Sequence, residues 1–95
     1  MAKVVDITEK LSFDENPKIK IRGVELDVNS DAESMLKLMG ALSNMSEGEA
    51  TLEAYNLLFS EEDRKKISDM KLKFKDFKTL IEYAITLVTG ESEGE

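Results

Sequence analysis

The most constraining feature of the chain is a wide apolar stripe within residues 74–88. Its members recur at three- and four-residue steps, which is the period of one helix face. They are Phe74, Phe77, Ile81, Ala84, Ile85 and Val88, with Leu80 and Leu87 at the margins. Gly90 follows at a position where a helix ends readily in the left-handed conformation. The pattern predicts a helix over 74–89 whose apolar face must be covered by the rest of the chain or by a partner.

Composition limits the class of protein that this chain can be. Its 95 residues predict one small domain, and they include no cysteine and no histidine. These absences remove disulfides, thiolate catalysis, the usual general base and the commonest transition-metal ligand. We therefore expect no enzyme activity, no catalytic residue, no metal or cofactor site and no small-molecule substrate. No apolar run approaches the roughly 20 residues that span a bilayer, so we expect a cytoplasmic protein without a membrane partner.

Residues 18–28 alternate strictly between apolar and polar side chains on either side of Arg22-Gly23. A two-residue turn there predicts a β-hairpin of fixed register. That register pairs Ile21 with Val24, Lys20 with Glu25, Ile19 with Leu26 and Lys18 with Asp27. One face is then apolar, and the other carries two cross-strand ion pairs, Lys18 with Asp27 and Lys20 with Glu25. Because a lone hairpin is barely stable in water, we expect its apolar face to lie on helices.

Three further helices are predicted, over about 31–45, 47–59 and 61–68. Their capping signals are Ser30 with Glu33, Ser46 with Glu49, and Ser60 with Asp63. With the terminal helix, these elements predict an α+β fold in which the hairpin packs on a bundle of three to four helices.

Two acidic segments invite a functional interpretation that their context does not favour. Asp27–Asp31 resembles the start of a calcium loop, but Ala32 and Leu38 stand where that loop needs glycine and glutamate, so a strand exit and a helix cap are preferred. Glu61-Glu62-Asp63 suits the first turn of a helix, so we expect it to be solvated. The spacing also predicts ion pairs of Glu61 with Lys65 and of Glu62 with Lys66.

The segments outside these elements are less regular. The β-branched stretch Val4–Thr8 predicts either an edge strand or a loose arm within residues 1–16. Residues 70–74 alternate, which predicts an extended linker with Leu72 and Phe74 pointing inward. Residues 91–95 are expected to form a disordered acidic tail.

Charge is unevenly distributed along a chain whose net charge is −7. Residues 25–63 carry ten acids against Lys37 alone, whereas residues 64–78 carry seven bases against two acids. Such segregation favours electrostatic complementarity, either within the fold or between copies in a homo-oligomer. The candidate self-association charges are Glu49, Glu53, Lys71 and Lys75. Few aromatic residues interleave with the bases and the whole chain would repel phosphates, so we expect no nucleic-acid partner.

The helical stripes also offer a candidate surface for an apolar partner. Its proposed residues are Met35, Met39, Leu42, Phe74 and Phe77. Methionines on one helix face are more often core than binding site, yet their unbranched side chains also suit a surface that accepts varied partners. An amphipathic helix held in an apolar groove is the expected binding mode.

The order of these features resembles that of the tail assembly chaperones of long-tailed bacteriophages and prophages. The pieces that carry the likeness are the hairpin Lys18–Val28, the helix start Asp27–Asp31, the stretch Leu58–Asp63 and the helix Phe74–Val88. The resemblance implies a cytoplasmic, non-enzymatic, self-associating protein that coats the tape measure protein before the tail tube forms around it. It also implies that a longer form can arise by ribosomal frameshifting. The alternative is a protein-interaction or regulatory module unrelated to tails.

Overall fold

The computed structural model describes residues 3–12 and 14–90. A 3-10 turn at Thr8–Lys10 is followed by a two-stranded antiparallel hairpin and four helices. The strands are β1 (Lys18–Ile21) and β2 (Val24–Asp27), and the helices are α1 (Ala32–Asn44), α2 (Glu47–Leu58), α3 (Glu61–Met70) and α4 (Phe74–Thr89). The predicted α+β fold, a hairpin packed on a small helical bundle, is confirmed.

The hairpin has the predicted register along its whole length, with Ile21 opposite Val24 next to the turn. At the turn, Arg22 and Gly23 have φ angles of 50° and 82°. Positive φ at both central residues is what a two-residue turn needs to match the twist of its strands. The alternation of the sequence and the turn geometry therefore specify the same pairing.

Of the two ion pairs predicted across the hairpin, one forms. The Lys18 ammonium contacts the Asp27 carboxylate. The prediction for Lys20 and Glu25 was wrong: they are register partners, but no ion pair joins them within the described ranges. Both side chains are exposed, and in water the attraction between two such charges barely offsets the entropy of holding two long side chains together.

The core lies where the inner face of the hairpin meets all four helices. Its buried members are Leu26, Val28, Leu38, Ala54, Leu58, Phe59, Ile67, Leu80, Ile81 and Ala84. The centre of the predicted α4 stripe is thus confirmed as core. Leu72 also packs against this cluster, as predicted. Phe74, however, does not point inward: it is the first residue of α4 and is 75% exposed.

Two of the three predicted N-caps are confirmed. Ser46 and Glu49 form the capping box of α2, and the Ser60 hydroxyl accepts a hydrogen bond from the Asp63 N–H at the start of α3. The third was wrong, because Asp31, not Ser30, caps α1 by accepting from the Ser34 N–H at 3.1 Å.

The displaced capping residue has another contact. The Ser30 hydroxyl donates to the side-chain oxygen of Asn16, at 2.9 Å. At the other end of the bundle, Gly90 ends α4 with a φ of 77°, as the sequence predicts.

Asp63 corrects the expectation that the acids at the start of α3 are solvated. It is 8% exposed, and its carboxylate accepts a hydrogen bond from the Asp27 N–H of β2 at 2.9 Å. The predicted pairs of Glu61 with Lys65 and Glu62 with Lys66 are absent from the described residues. Lys66 lies instead 3.4 Å from the other carboxylate oxygen of Asp63, one turn back along the helix. Asp63 thus joins the hairpin to α3.

The N-terminal arm, defined here as residues 3–12, forms no strand. All ten residues are exposed, and among the described residues they form hydrogen bonds only with one another. Of the two predictions for Val4–Thr8, the edge strand is not formed in this structure. The predicted disorder of 91–95 lies outside the described residues.

Candidate binding surfaces

Helix α1 carries more apolar surface than the core covers. Only Leu38 and Ala41 are buried along it. Three large apolar side chains of α1 and that of its C-cap are exposed: 69% for Leu36, 58% for Met39, 48% for Leu42 and 43% for Met45. These four residues, called the α1 outer face below, follow one another at three-residue steps, on a helix that packs against α2. An exposed apolar set of this kind is typical of a contact surface for another protein.

The α1 outer face leads into a small groove between α1, α2 and α4. Leu42 and Met45 line it from α1, together with Ala50 and Ile85 from the other two helices. Its volume is about 390 Å³. Four residues of its lining are apolar and four are polar or charged, so an apolar side chain of a partner that enters this helix groove would contact the four apolar ones.

One ion pair ties two walls of the helix groove together. The Lys78 ammonium lies 2.8 Å from the Glu47 carboxylate. Their hydrogen bond and mutual attraction raise the pKa of Lys78 above its usual value and lower the pKa of Glu47 below its own. The acidic middle of the sequence and the basic segment 64–78 therefore meet within one chain at this point.

A larger groove of about 520 Å³ runs between β1, the α3–α4 connection and α4. We call it the hairpin groove. Its apolar lining includes Ile19, Ile21, Met70, Leu72, Leu80 and Tyr83. Arg22, Lys71 and Lys73 contribute three cations to its rim, against the single acid Asp76. An apolar floor with a basic rim suits an apolar segment that also carries acidic side chains.

The predicted partner-binding residues do not form one patch. Met39 and Leu42 belong to the α1 outer face, whereas Met35 and Phe77 pack against the core. The Phe77 ring lies 5.1 Å from that of Tyr55 in an edge-to-face arrangement, which anchors it inside. Phe74 is exposed but lines neither groove. Contact of these residues with a partner stays a prediction.

The predicted self-association charges are also dispersed. Glu49 accepts hydrogen bonds from Ser46 as part of the α2 cap, so its carboxylate already has a structural role. Lys71 lies on the rim of the hairpin groove, in the left-handed conformation that ends α3. Glu53 is half-buried on α2, and Lys75 is exposed on the first turn of α4.

Sequence reasoning missed both grooves and Asp63. The hairpin groove combines segments around residues 19–22, 70–73 and 76–83, which no local pattern connects. The one available signal was the alternation of residues 70–74, with lysines between apolar side chains. For Asp63 no local signal existed, because its partner Asp27 lies 36 residues earlier.

Within residues 3–12 and 14–90, no group of three or more acidic side chains is arranged to hold a metal ion. No helix in those ranges is long and apolar enough to cross a membrane. The chain matches no protein-family model, and no curated protein or solved structure is significantly similar to it.

Proposed function

We propose that this protein is a non-enzymatic tail assembly chaperone of a long-tailed bacteriophage or prophage. In this proposal it acts in the cytoplasm of the bacterial host and holds the tape measure protein until the tail tube assembles. The observation that supports it most is the α1 outer face, an apolar surface left open although the chain has a formed core. The absence of cysteine and histidine from the sequence favours a binding role over a chemical one.

The binding mode follows from the shape of that surface. An amphipathic helix of the partner would lie along α1, with one side chain entering the helix groove beside Leu42 and Met45. The methionines adapt to partners of varied sequence, because their side chains are unbranched and polarisable. Such adaptability suits a chaperone that covers successive segments of one long helical protein.

Co-expression with the tape measure protein, followed by affinity capture of the latter, tests the proposal. The informative variant is Leu36→Asp with Met39→Asp, and the matched control is Leu87→Asp, at a 45% exposed leucine on α4. Burying the exposed parts of Leu36 and Met39 is worth about 2–3 kcal/mol, so the double variant should bind roughly 30- to 150-fold more weakly. Far-ultraviolet circular dichroism checks that both variants remain folded.

Retention of the wild type and of Leu87→Asp, but not of the double variant, is the expected result. If the tape measure protein retains none of the three, the chaperone proposal fails and an interaction module unrelated to tails takes its place. If it retains all three equally, the α1 outer face is not the contact surface.

A further inference from the structure

One edge of the hairpin is unpaired. The Val28 N–H donates to the Pro17 carbonyl, so this pair belongs to the hydrogen-bonded set of the ladder. Because the two kinds of pair alternate along antiparallel strands, the backbone groups of Lys18 and Lys20 point away from β2. In the part of the chain that the structure describes, no other strand meets them.

The outward backbone groups of the two strands differ in their hydrogen-bond partners. On β2, the outward Asp27 N–H is taken by the buried carboxylate of Asp63. On β1, the outward groups have no such partner among the described residues. An exposed strand edge is a template for another strand, and proteins commonly cover or block such edges. Here β2 is blocked at Asp27, whereas no contact of this kind blocks β1 among the described residues.

The hairpin groove lies beside the open edge. It is lined by Ile19, Ile21 and Arg22 from the β1 side, and by no residue of β2. A strand added to β1 would therefore place alternate side chains over the apolar floor of the groove. Its other side chains would lie beside Lys18 and Lys20, on the water-exposed face of the hairpin.

The N-terminal arm has the sequence that this position requires. Val5 and Ile7 would share one face of an extended strand, and Asp6 would lie on the other. Val5 is 66% exposed and Ile7 is 49% exposed, so neither side chain is part of the core. Asp6 supplies the negative charge that suits a rim and an edge rich in cations.

We propose that residues 4–8 of one copy of this chain add as a third strand to the free edge of β1 in a second copy, with Val5 and Ile7 in the hairpin groove. When these two side chains lie across Ile19 and Ile21, Asp6 is placed beside Lys20 in either strand direction. Lys20 has no ion-pair partner within the described residues, so this contact uses a free charge. Docking exchanges the water-exposed hydrogen bonds between Thr8 and Asp6 for ladder hydrogen bonds.

A second copy is a better source of the arm than the same chain. Asn16 and Pro17 are held beside Ser30 and Val28, so the chain runs straight into β1. The residue before a proline is also restricted to extended conformations. Residues 9–16 are long enough for the arm to return to its own β1, yet in this structure residues 3–12 are exposed and no third strand pairs with β1 among the described residues. This contact between copies does not depend on whether the protein binds the tape measure protein.

The absence of cysteine from the sequence allows a direct cross-linking test. Full-length Asp6→Cys and Lys20→Cys proteins, one carrying a longer tag, are mixed and oxidised with glutathione disulfide. Neighbouring strands place Cα atoms about 5.5 Å apart, within the range of a disulfide. The matched control replaces Lys20→Cys with Glu25→Cys, since Glu25 is exposed on β2, one strand further away.

The expected result is a mixed-tag dimer from Asp6→Cys with Lys20→Cys, at least tenfold more abundant than with Glu25→Cys. Equal yields from both mixtures, or no dimer from either, overturn the proposal. A chain carrying both Asp6→Cys and Lys20→Cys supplies a further check: if it closes only within itself at every concentration, the arm docks on its own strand and the second-copy proposal is wrong.

Sedimentation velocity tests the same contact without cross-linking. The wild type should show association that increases with concentration, and Val5→Asp with Ile7→Asp should lower the association constant at least tenfold. Val4→Asp is the matched control: Val4 shares the face of Asp6, beside the cations of the β1 edge, so this change should not weaken association. A wild type that is monomeric at every concentration, or an equal effect of both changes, contradicts the proposal.

Discussion

Replacement of Asp63 by alanine tests how the hairpin is held on the helices. The carboxylate accepts the outward N–H of Asp27 at 2.9 Å in a partly buried position, and Lys66 lies 3.4 Å from its second oxygen. Asp63→Ala leaves that N–H without an acceptor, which costs about 1–3 kcal/mol. The Lys66 contact adds little, because Lys66 is exposed. We therefore expect a loss of about 2 kcal/mol in the free energy of unfolding.

The assay is urea or thermal unfolding followed by circular dichroism. For a domain of this size, a loss of about 2 kcal/mol lowers the melting temperature by roughly 8–16 °C. Asp63→Asn keeps an oxygen that accepts the hydrogen bond but loses the charge, so it should lose only about half as much. The two variants together separate the hydrogen bond from its charge.

Glu62→Ala is the matched control, because Glu62 occupies the same first turn of α3 but is exposed. It loses the same favourable interaction with the helix dipole, worth less than about 1 kcal/mol. If Asp63→Ala and Glu62→Ala destabilise the protein equally, the hydrogen bond from the Asp27 N–H to Asp63 contributes nothing to stability. That result would refute the role given to Asp63 in holding the hairpin on α3.

Three other changes have defined outcomes in the same unfolding assay. Gly90→Ala should destabilise by about 1 kcal/mol because of its positive φ, whereas Gly40→Ala should stabilise by about 0.5–1 kcal/mol, since an added Cβ there meets no atom within 4 Å. Ser46→Ala should cost about 1 kcal/mol by removing the α2 capping box. Lys78→Gln should lower the urea midpoint at pH 7. Because Lys78 lowers the pKa of Glu47 below its usual value, this difference should persist above the usual pKa of a glutamate and vanish as the pH falls through the lowered pKa. Stabilisation by Gly90→Ala, destabilisation by Gly40→Ala, or no loss of stability in Ser46→Ala would each contradict the structure. So would a difference in urea midpoint between Lys78→Gln and the wild type that does not change with pH.

The hairpin and the terminal helix could be predicted because local sequence determines them. A period of two with a two-residue turn allows one register, and a one-residue slip would expose Leu26, which is fully buried. The stripe ending at Gly90 likewise has one compatible helix face. In both cases the pattern is repeated several times within a short segment, so the interpretation does not depend on any single residue.

The wrong predictions concern residues whose position depends on contacts between segments that are distant in the sequence. Ser30 and Asp31 are both good capping residues, and the choice between them reflects the bond of Ser30 to Asn16, which the local pattern does not contain. Phe74 belongs to the helical stripe, yet at the first residue of α4 it is 75% exposed. The candidate binding residues were partly separated for the same reason, since Phe77 is held by Tyr55 from another helix.

Methyl-labelled methionine offers the most direct test of the central claim, that the α1 outer face meets the partner. Met39 and Met45 lie on that face, whereas Met70 lines the hairpin groove on the other side of α4 and serves as an internal control. Titration with a helical segment of the tape measure protein should shift or broaden the Met39 and Met45 methyl signals and leave Met70 unchanged. Binding that shifts Met70 alone, or a titration that changes no methionine signal, would contradict the account.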